Sequence, residues 1–152
     1  MIKKYNQAIT VPRHKTISKV VDKTFLFVVS AFTIYKQKGT KYILEQIAEE
    51  NNVKLIIRDY NPENKTLGTA TSYTNNIILY LTSDWFLNTY VFFHELAHLH
   101  LHCNCVTGAS LPMNIKEKEA DIYAAFMMNQ LFPGNKEKIR DLFDHNFTLS
   151  NN

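Results

Sequence analysis

The chain has 152 residues, of which 45% are hydrophobic and 20% are charged, and it carries a formal net charge of +3. These values are typical of one globular domain, and they exclude disordered, collagen-like and low-complexity architectures. The longest strongly apolar run, Phe25 to Tyr35, is well short of the ~20 residues that span a bilayer, and no signal-peptide pattern follows Lys3 and Lys4. We therefore expect a cytoplasmic protein without membrane contact.

Basic side chains are concentrated in the first part of the chain. Residues 1–58 contain 11 Lys or Arg and 4 Asp or Glu, whereas residues 59–152 contain 6 and 10. Such a segment is compatible with binding to nucleic acid or to an acidic partner. Because the basic residues are scattered and no helix-turn-helix is recognisable, we favour a solvated basic surface, and nucleic-acid binding has only weak support.

The first 39 residues form an N-terminal extension that we assign to no known unit. Ile9 to Val11 and Val20-Val21 are short β-branched fragments. Phe25 to Tyr35 is rich in Phe, Val, Ile and Thr, a composition that suggests a buried strand but also fits a core helix.

The signals become clearer from Thr40, which is placed to cap a helix ending near Asn51. The apolar stripe of that helix consists of Ile43, Leu44, Ile47 and Ala48. Residues 53–58 are predicted to form a strand, followed by a turn at residues 61–64. Residues 67–73 and 77–81 are predicted to form two further strands. A hairpin at Asn75-Asn76 joins them, since Asn tolerates the positive φ of such turns.

Three helices are predicted after these strands. Residues 82–84 are capping residues for a helix that runs to about His102. A second helix extends from about Ile115 to Leu131 and is stopped by Pro133-Gly134, and a short one covers Lys136 to Phe143. A small β-sheet packed on helices predicts the α+β class. We expect a single domain over residues 1–152, with a core at residues 40–134 and a C-terminal helix and tail at residues 135–152.

The string His94-Glu95-Leu96-Ala97-His98 is the most informative motif. Residues four apart lie on one face of a helix, so the imidazoles of His94 and His98 can bind one tetrahedral metal ion. Glu95 is then placed to act as a general base toward a water molecule at the metal. The surrounding residues are mostly apolar, so the helix is buried and its two histidines need partners, which a metal ion supplies. We predict one zinc ion.

A catalytic zinc ion needs a third protein ligand, and the acidic cluster on the next helix offers one. Glu117 and Asp121 are four residues apart and share a face, so Glu117 can bind zinc while Asp121 accepts a hydrogen bond from a ligand imidazole. Glu119 lies about 160° around the helix from Glu117. We therefore expect Glu119 to face solvent or the other side of the chain, and its removal to change zinc binding little. An alternative is that these acidic residues only stabilise the helix N-terminus.

Both segments resemble the signatures of a known peptidase family. Residues 94–102 (HELAHLHLH) and 117–125 (EKEADIYAA) are similar to the two motifs of the ImmA/IrrE family of zinc metallopeptidases. Tyr123 stands where that family usually has Phe, and Leu131-Phe132-Pro133 occupies the place of its common Leu-Met-Pro. The resemblance covers roughly residues 40–134.

The resemblance implies a zincin-like fold and a zinc-dependent endopeptidase. His94, His98 and Glu117 would hold the metal, Glu95 would be the catalytic base, and Asp121 would orient a ligand. Family members include phage and mobile-element proteins that cleave a repressor, so the implied partner is a protein substrate, a transcriptional repressor. The alternative is a non-proteolytic, zinc-containing regulatory module that binds protein or DNA.

The sequence also offers candidates for the groups that would contact a substrate. Tyr73, Tyr80 and His145 are candidates for the group that stabilises the oxyanion. A strand edge near the zinc helix, at residues 67–73 or 77–81, offers a place for an extended substrate to add as a further strand.

Other polar residues near the motifs receive ordinary structural interpretations. We interpret His102 as a hydrogen-bonded structural histidine rather than a ligand, and we expect His100 to face solvent or the second helix. Cys103 and Cys105 do not form a disulfide framework, and a single such pair is weak evidence for a metal site, so we interpret them as reduced thiols.

Overall fold

The chain folds as an α+β protein whose small sheet is preceded and followed by helices, which confirms the predicted class. The computed structural model describes residues 2–103 and 108–145, with side chains from residue 13 onward. In this part of the chain the helices and strands are α1 (Ile2–Tyr35), α2 (Thr40–Glu50), β1 (Lys54–Asp59), β2 (Gly68–Thr71), β3 (Asn76–Leu81), α3 (Trp85–Leu101), α4 (Met113–Leu131) and α5 (Lys136–Asp144). Among these helices, none has both the length and the apolar character needed to cross a membrane.

Helix α1 corrects the interpretation of the N-terminal extension. The preferred prediction of a buried strand at Phe25 to Tyr35 is wrong, and the alternative of a core helix is right. One side of α1 is buried at positions alternately four and three residues apart, namely Ile17, Val21, Thr24, Val28 and Ala31. This spacing is that of a helix packed along one face, here against α4 and α2. That packing outweighs the β propensity of the segment.

Helix α2 has the predicted stripe but not the predicted cap. The stripe residues Ile43, Leu44, Ile47 and Ala48 are all buried. Thr40 is the first helical residue instead of the cap, and no side chain caps the helix. Gly39 precedes it with a φ of 93°. Because glycine adopts this φ with little strain, it suits the position directly before α2, where the backbone is not helical.

The sheet places one strand at its centre and leaves another at its edge. The strand order is β1-β3-β2, with β3 parallel to β1 and antiparallel to β2. The predicted hairpin is confirmed, but its turn comprises residues 72–75, with Asn75 at a φ of 54°, and Asn76 is already the first residue of β3. Ile77 and Leu79 of β3 are completely buried. Strand β2 is therefore an edge strand of this sheet.

Helix α3 is fixed firmly in the core. Asp84 caps it as predicted, since its carboxylate accepts hydrogen bonds from the backbone N–H groups of Phe86 and Leu87. The Asn88 side chain exchanges hydrogen bonds with Thr82, which anchors the connection from β3. Every residue from Asn88 to Ala97 is buried. The polar side chains between Asn88 and Ala97 are consequently almost entirely shielded from solvent.

Helix α4 packs against both α3 and α1. Its residues Ala120, Tyr123, Ala124 and Met127 are completely buried, and α5 packs on it further along the chain through the buried Ile139. A side chain that points away from α3 on this helix can therefore meet α1 instead of solvent. This placement decides the surroundings of the acidic cluster at residues 117–121.

Candidate metal centre

Three side chains from two helices converge at one point. His94 and His98 lie one turn apart on α3, and the Glu117 carboxylate reaches them from α4. Glu117 Oε2 is 3.0 Å from His94 Nε2, and Glu117 Oε1 is 2.9 Å from His98 Nε2. One donor atom from each residue lies within 4.8 Å of the others. The structure therefore brings together the three predicted ligands, with Glu117 and not Glu119 in the group.

This donor set fits a zinc ion. Two imidazole nitrogens and one carboxylate oxygen form the set that many catalytic zinc sites use, with a fourth position open for water or substrate. His94 is almost completely buried, whereas His98 and Glu117 have side-chain exposures of 16% and 15%. The group is thus held by protein on one side and accessible on the other, as a catalytic metal requires.

Asp121 orients the first histidine. Its Oδ1 lies 2.9 Å from His94 Nδ1 and also accepts a hydrogen bond of 3.2 Å from the Tyr90 hydroxyl. Because a carboxylate only accepts, the His94 ring donates from Nδ1 to Asp121, which leaves Nε2, the atom beside Glu117, as the atom that can bind a metal ion. Burial lowers the pKa of His94, but hydrogen bonds to Asp121 and Glu117 outweigh it and raise the pKa to about 10. The structure places Asp121 where the sequence predicts it.

Glu95 is buried beside the ligands, in contact with the sheet. A Cβ atom at Gly68 on β2 would lie 3.0 Å from Glu95 Cγ and 2.8 Å from Val91 Cγ1, so only glycine lets β2 come this close to α3. Burial raises the pKa of Glu95, and the positive charges of His94 and His98 oppose this effect. A carboxyl group with a raised pKa is suited to accepting and releasing a proton near neutral pH.

An open cavity of about 320 Å³ runs past Glu95, His98 and Glu117. Its other lining residues come from β2, the turn after it, α3 and α4: Gly68, Thr69, Ala70, Ser72, Leu99, His102, Met113 and Lys116. The three candidates for oxyanion stabilisation, Tyr73, Tyr80 and His145, do not line this cavity. Lys116 does, and no spacing pattern in the sequence distinguishes it from other surface lysines.

The expectation that Glu119 faces solvent or the far side of the chain is wrong. Glu119 is buried, and its Oε1 lies 2.8 Å from His102 Nε2. The Arg13 guanidinium donates to both of its carboxylate oxygens at 2.8 and 3.0 Å. Burial raises the pKa of Glu119, but hydrogen bonds to His102 and Arg13 outweigh it and lower the pKa. The physical reason is that α1 covers this side of α4.

The two other histidines in this part of the chain, His100 on α3 and His102 directly after it, have defined hydrogen-bond partners. His102 is buried and hydrogen-bonded, as interpreted from the sequence, and burial lowers its pKa. His100 faces α4, the second helix of the sequence prediction. Its Nδ1 lies 2.9 Å from the hydroxyl of Tyr123, and that hydroxyl donates to Thr24 on α1. Burial lowers the pKa of His100 to about 4. Cys103 is half-buried, and Cys105 lies outside the described residues, so the prediction for this pair stays untested.

No model of a known protein family matches the chain, and no curated protein or solved structure matches it either.

Proposed function

We propose that the protein is a zinc-dependent endopeptidase of the ImmA/IrrE type with a zincin-like fold. The observation that carries this proposal is the convergence of His94, His98 and Glu117 beside the buried Glu95, at the wall of an open cavity. A purely structural zinc site is closed by four protein ligands and has no need of an adjacent carboxylate base. The two sequence motifs supply the family assignment.

The proposed mechanism assigns a proton-transfer role to Glu95. Zinc held by the three ligands would polarise the peptide carbonyl and make a water molecule more acidic. Glu95 takes a proton from the attacking water as its oxygen bonds to the carbonyl carbon. It then returns that proton to the amine nitrogen as the C–N bond breaks. Asp121 keeps the His94 ring oriented through Nδ1. Lys116, which lines the same cavity, stabilises the negative charge on the carbonyl oxygen in place of the three sequence candidates.

The proposed substrate is an extended segment of protein. Strand β2 pairs with β3 on one side and, among the described strands, has no partner on the other. The cavity follows β2 at Gly68, Thr69 and Ala70. A peptide added to this edge would form backbone hydrogen bonds with β2 and pass the Glu95 carboxylate. Of the two strand edges considered from the sequence, β3 is excluded because both of its sides are paired.

Following the family resemblance, we propose a cytoplasmic transcriptional repressor as the substrate. The test incubates the purified protein with the repressor encoded beside it, with zinc or with a chelator, and maps new termini by mass spectrometry. The expected result is one defined cleavage that the chelator and the Glu95→Gln variant both abolish. Stable binding of the repressor without cleavage, by a protein shown to contain zinc, would contradict the peptidase and favour the non-proteolytic module.

A further inference from the structure

A hydrogen-bonded chain runs from helix α1 to the second histidine of the metal centre. The Arg13 guanidinium holds Glu119, Glu119 Oε1 is 2.8 Å from His102 Nε2, and His102 Nδ1 is 3.0 Å from His98 Nδ1. On its other side, His98 presents Nε2 to Glu117 at 2.9 Å. Four side chains, three from helices α1, α3 and α4 and one from His102 at the end of α3, therefore form one continuous path that ends at the metal group.

The hydrogen-bonding capacity of each group determines which atoms of this hydrogen-bonded path carry the protons. Glu119, paired with Arg13, can only accept, so His102 donates from Nε2. Two ring nitrogens that face each other at 3.0 Å need one donor and one acceptor. With the proton of His102 on Nε2, its Nδ1 is the acceptor, and His98 must donate from Nδ1. With its Nδ1 proton held by His102, His98 can bind a metal ion only through Nε2, the atom that lies 2.9 Å from Glu117 Oε1.

The side chains of this hydrogen-bonded path are largely buried. The side chains of His102 and Glu119 are only 3% and 5% exposed, and Arg13 is 13% exposed. Arg13 also donates to the backbone carbonyl of Leu101 at 3.4 Å, at the end of α3. A Cβ atom at Gly108 would collide with the Leu101 carbonyl and the Arg13 guanidinium and would approach the His102 ring. The backbone at Gly108 thus lies directly against these side chains.

We infer that Arg13, Glu119 and His102 are positioning residues that fix the tautomer and ring orientation of His98 as a metal ligand. They do for His98 what Asp121 does for His94, except that a second histidine carries the interaction across a longer distance. The inference rests on the metal site of the proposed function and does not depend on peptidase activity. It also gives the N-terminal helix a role at the site, because α1 supplies the only arginine in contact with Glu119 among the described residues.

The test measures zinc affinity by competition with a chromogenic chelator, together with thermal stability. We expect His102→Leu to weaken zinc binding by about 10- to 100-fold, the usual effect of removing a group that orients a ligand. His102→Asn should recover most of that loss, because its amide oxygen can take the place of Nδ1 and accept from His98. Glu119→Gln should give a smaller loss, since the amide oxygen can still accept from His102.

The matched control is His100→Leu. This variant removes a half-buried, hydrogen-bonded histidine two residues earlier in the chain, at a position whose partners are Tyr123 and Thr24 and not the metal group. It should lose thermal stability like His102→Leu but keep wild-type zinc affinity. Equal zinc affinities for the two leucine variants, with zinc bound tightly by the wild type, would overturn the inference and leave the proposed function standing. Failure of the wild type to bind zinc would overturn both.

A second readout addresses the tautomer directly. In the NMR spectra of the ring nitrogens of the zinc-loaded protein, His102 should carry its proton on Nε2 and have an unprotonated Nδ1. A proton on His102 Nδ1 would reverse the direction of the hydrogen bond to His98 and overturn the inference, whatever the affinities of the variants.

Discussion

Replacing Gly68 by alanine should impair the proposed catalytic base, Glu95, while leaving the proposed metal ligands unchanged. The added Cβ atom would lie 2.8 Å from Val91 Cγ1, so β2 and α3 must move apart by about 0.6 Å to reach an ordinary contact of 3.4 Å. Such overpacking costs about 1–3 kcal/mol, which corresponds to a decrease in Tm of about 2–12 °C for a chain of this size. This movement would displace the Glu95 carboxylate from its position beside the metal ligands. The displacement should lower the cleavage rate by up to about 10²-fold.

The assay compares zinc content, Tm and cleavage rate for Gly68→Ala with those of Gly134→Ala. Gly134 is the matched control, because a Cβ atom there would meet nothing within 4 Å. Zinc content should stay unchanged in both variants, since the Gly68 Cβ would touch no ligand. A Gly68→Ala protein with wild-type Tm and cleavage would refute the close packing of β2 on α3. Loss of zinc would show that the strand supports the ligands themselves.

Three further predictions test the ligands, the base and the N-terminal helix. Glu95→Gln should retain zinc and Tm but lose cleavage by about 10²-fold or more, because the amide cannot accept a proton; activity near wild type would exclude the assigned base. Glu117→Ala should lose most bound zinc by metal analysis, and retention of zinc would exclude it as the third ligand. Val28→Asp should lower the free energy of unfolding by several kcal/mol because Val28 is completely buried, whereas Leu26→Asp, at a position 70% exposed, should change it by less than about 0.5 kcal/mol. Equal effects at these two positions would instead fit a strand, in which residues two apart share a face.

Local patterns were sufficient to predict the centre of the site. The four-residue spacing of His94 and His98 places them on one helix face whatever the rest of the fold is. The same argument placed Glu117 and Asp121 together on the next helix. Asp84 was recognisable as a cap because capping depends on the next three residues alone. These features depend only on the geometry of a single helix, so a short segment of sequence is sufficient to predict them.

The surroundings of Glu119 could not be predicted in this way. Its partner Arg13 is 106 residues away in the chain, and no local pattern indicates that α1 covers α4. The N-terminal segment was misread because β-branched and aromatic residues favour strands on average, whereas here the packing of α1 decides. The spacing of Ile17, Val21 and Val28 was the available signal, and the shorter window at Phe25 to Tyr35 missed it.

The most direct test of the metal site is a crystal structure of the zinc-loaded protein with anomalous diffraction data recorded at the zinc absorption edge. We expect one anomalous peak about 2.0–2.2 Å from His94 Nε2, His98 Nε2 and a carboxylate oxygen of Glu117. Glu95 should face the fourth position without binding the metal. A peak coordinated by His102 or Glu119, or no peak between α3 and α4, would contradict it.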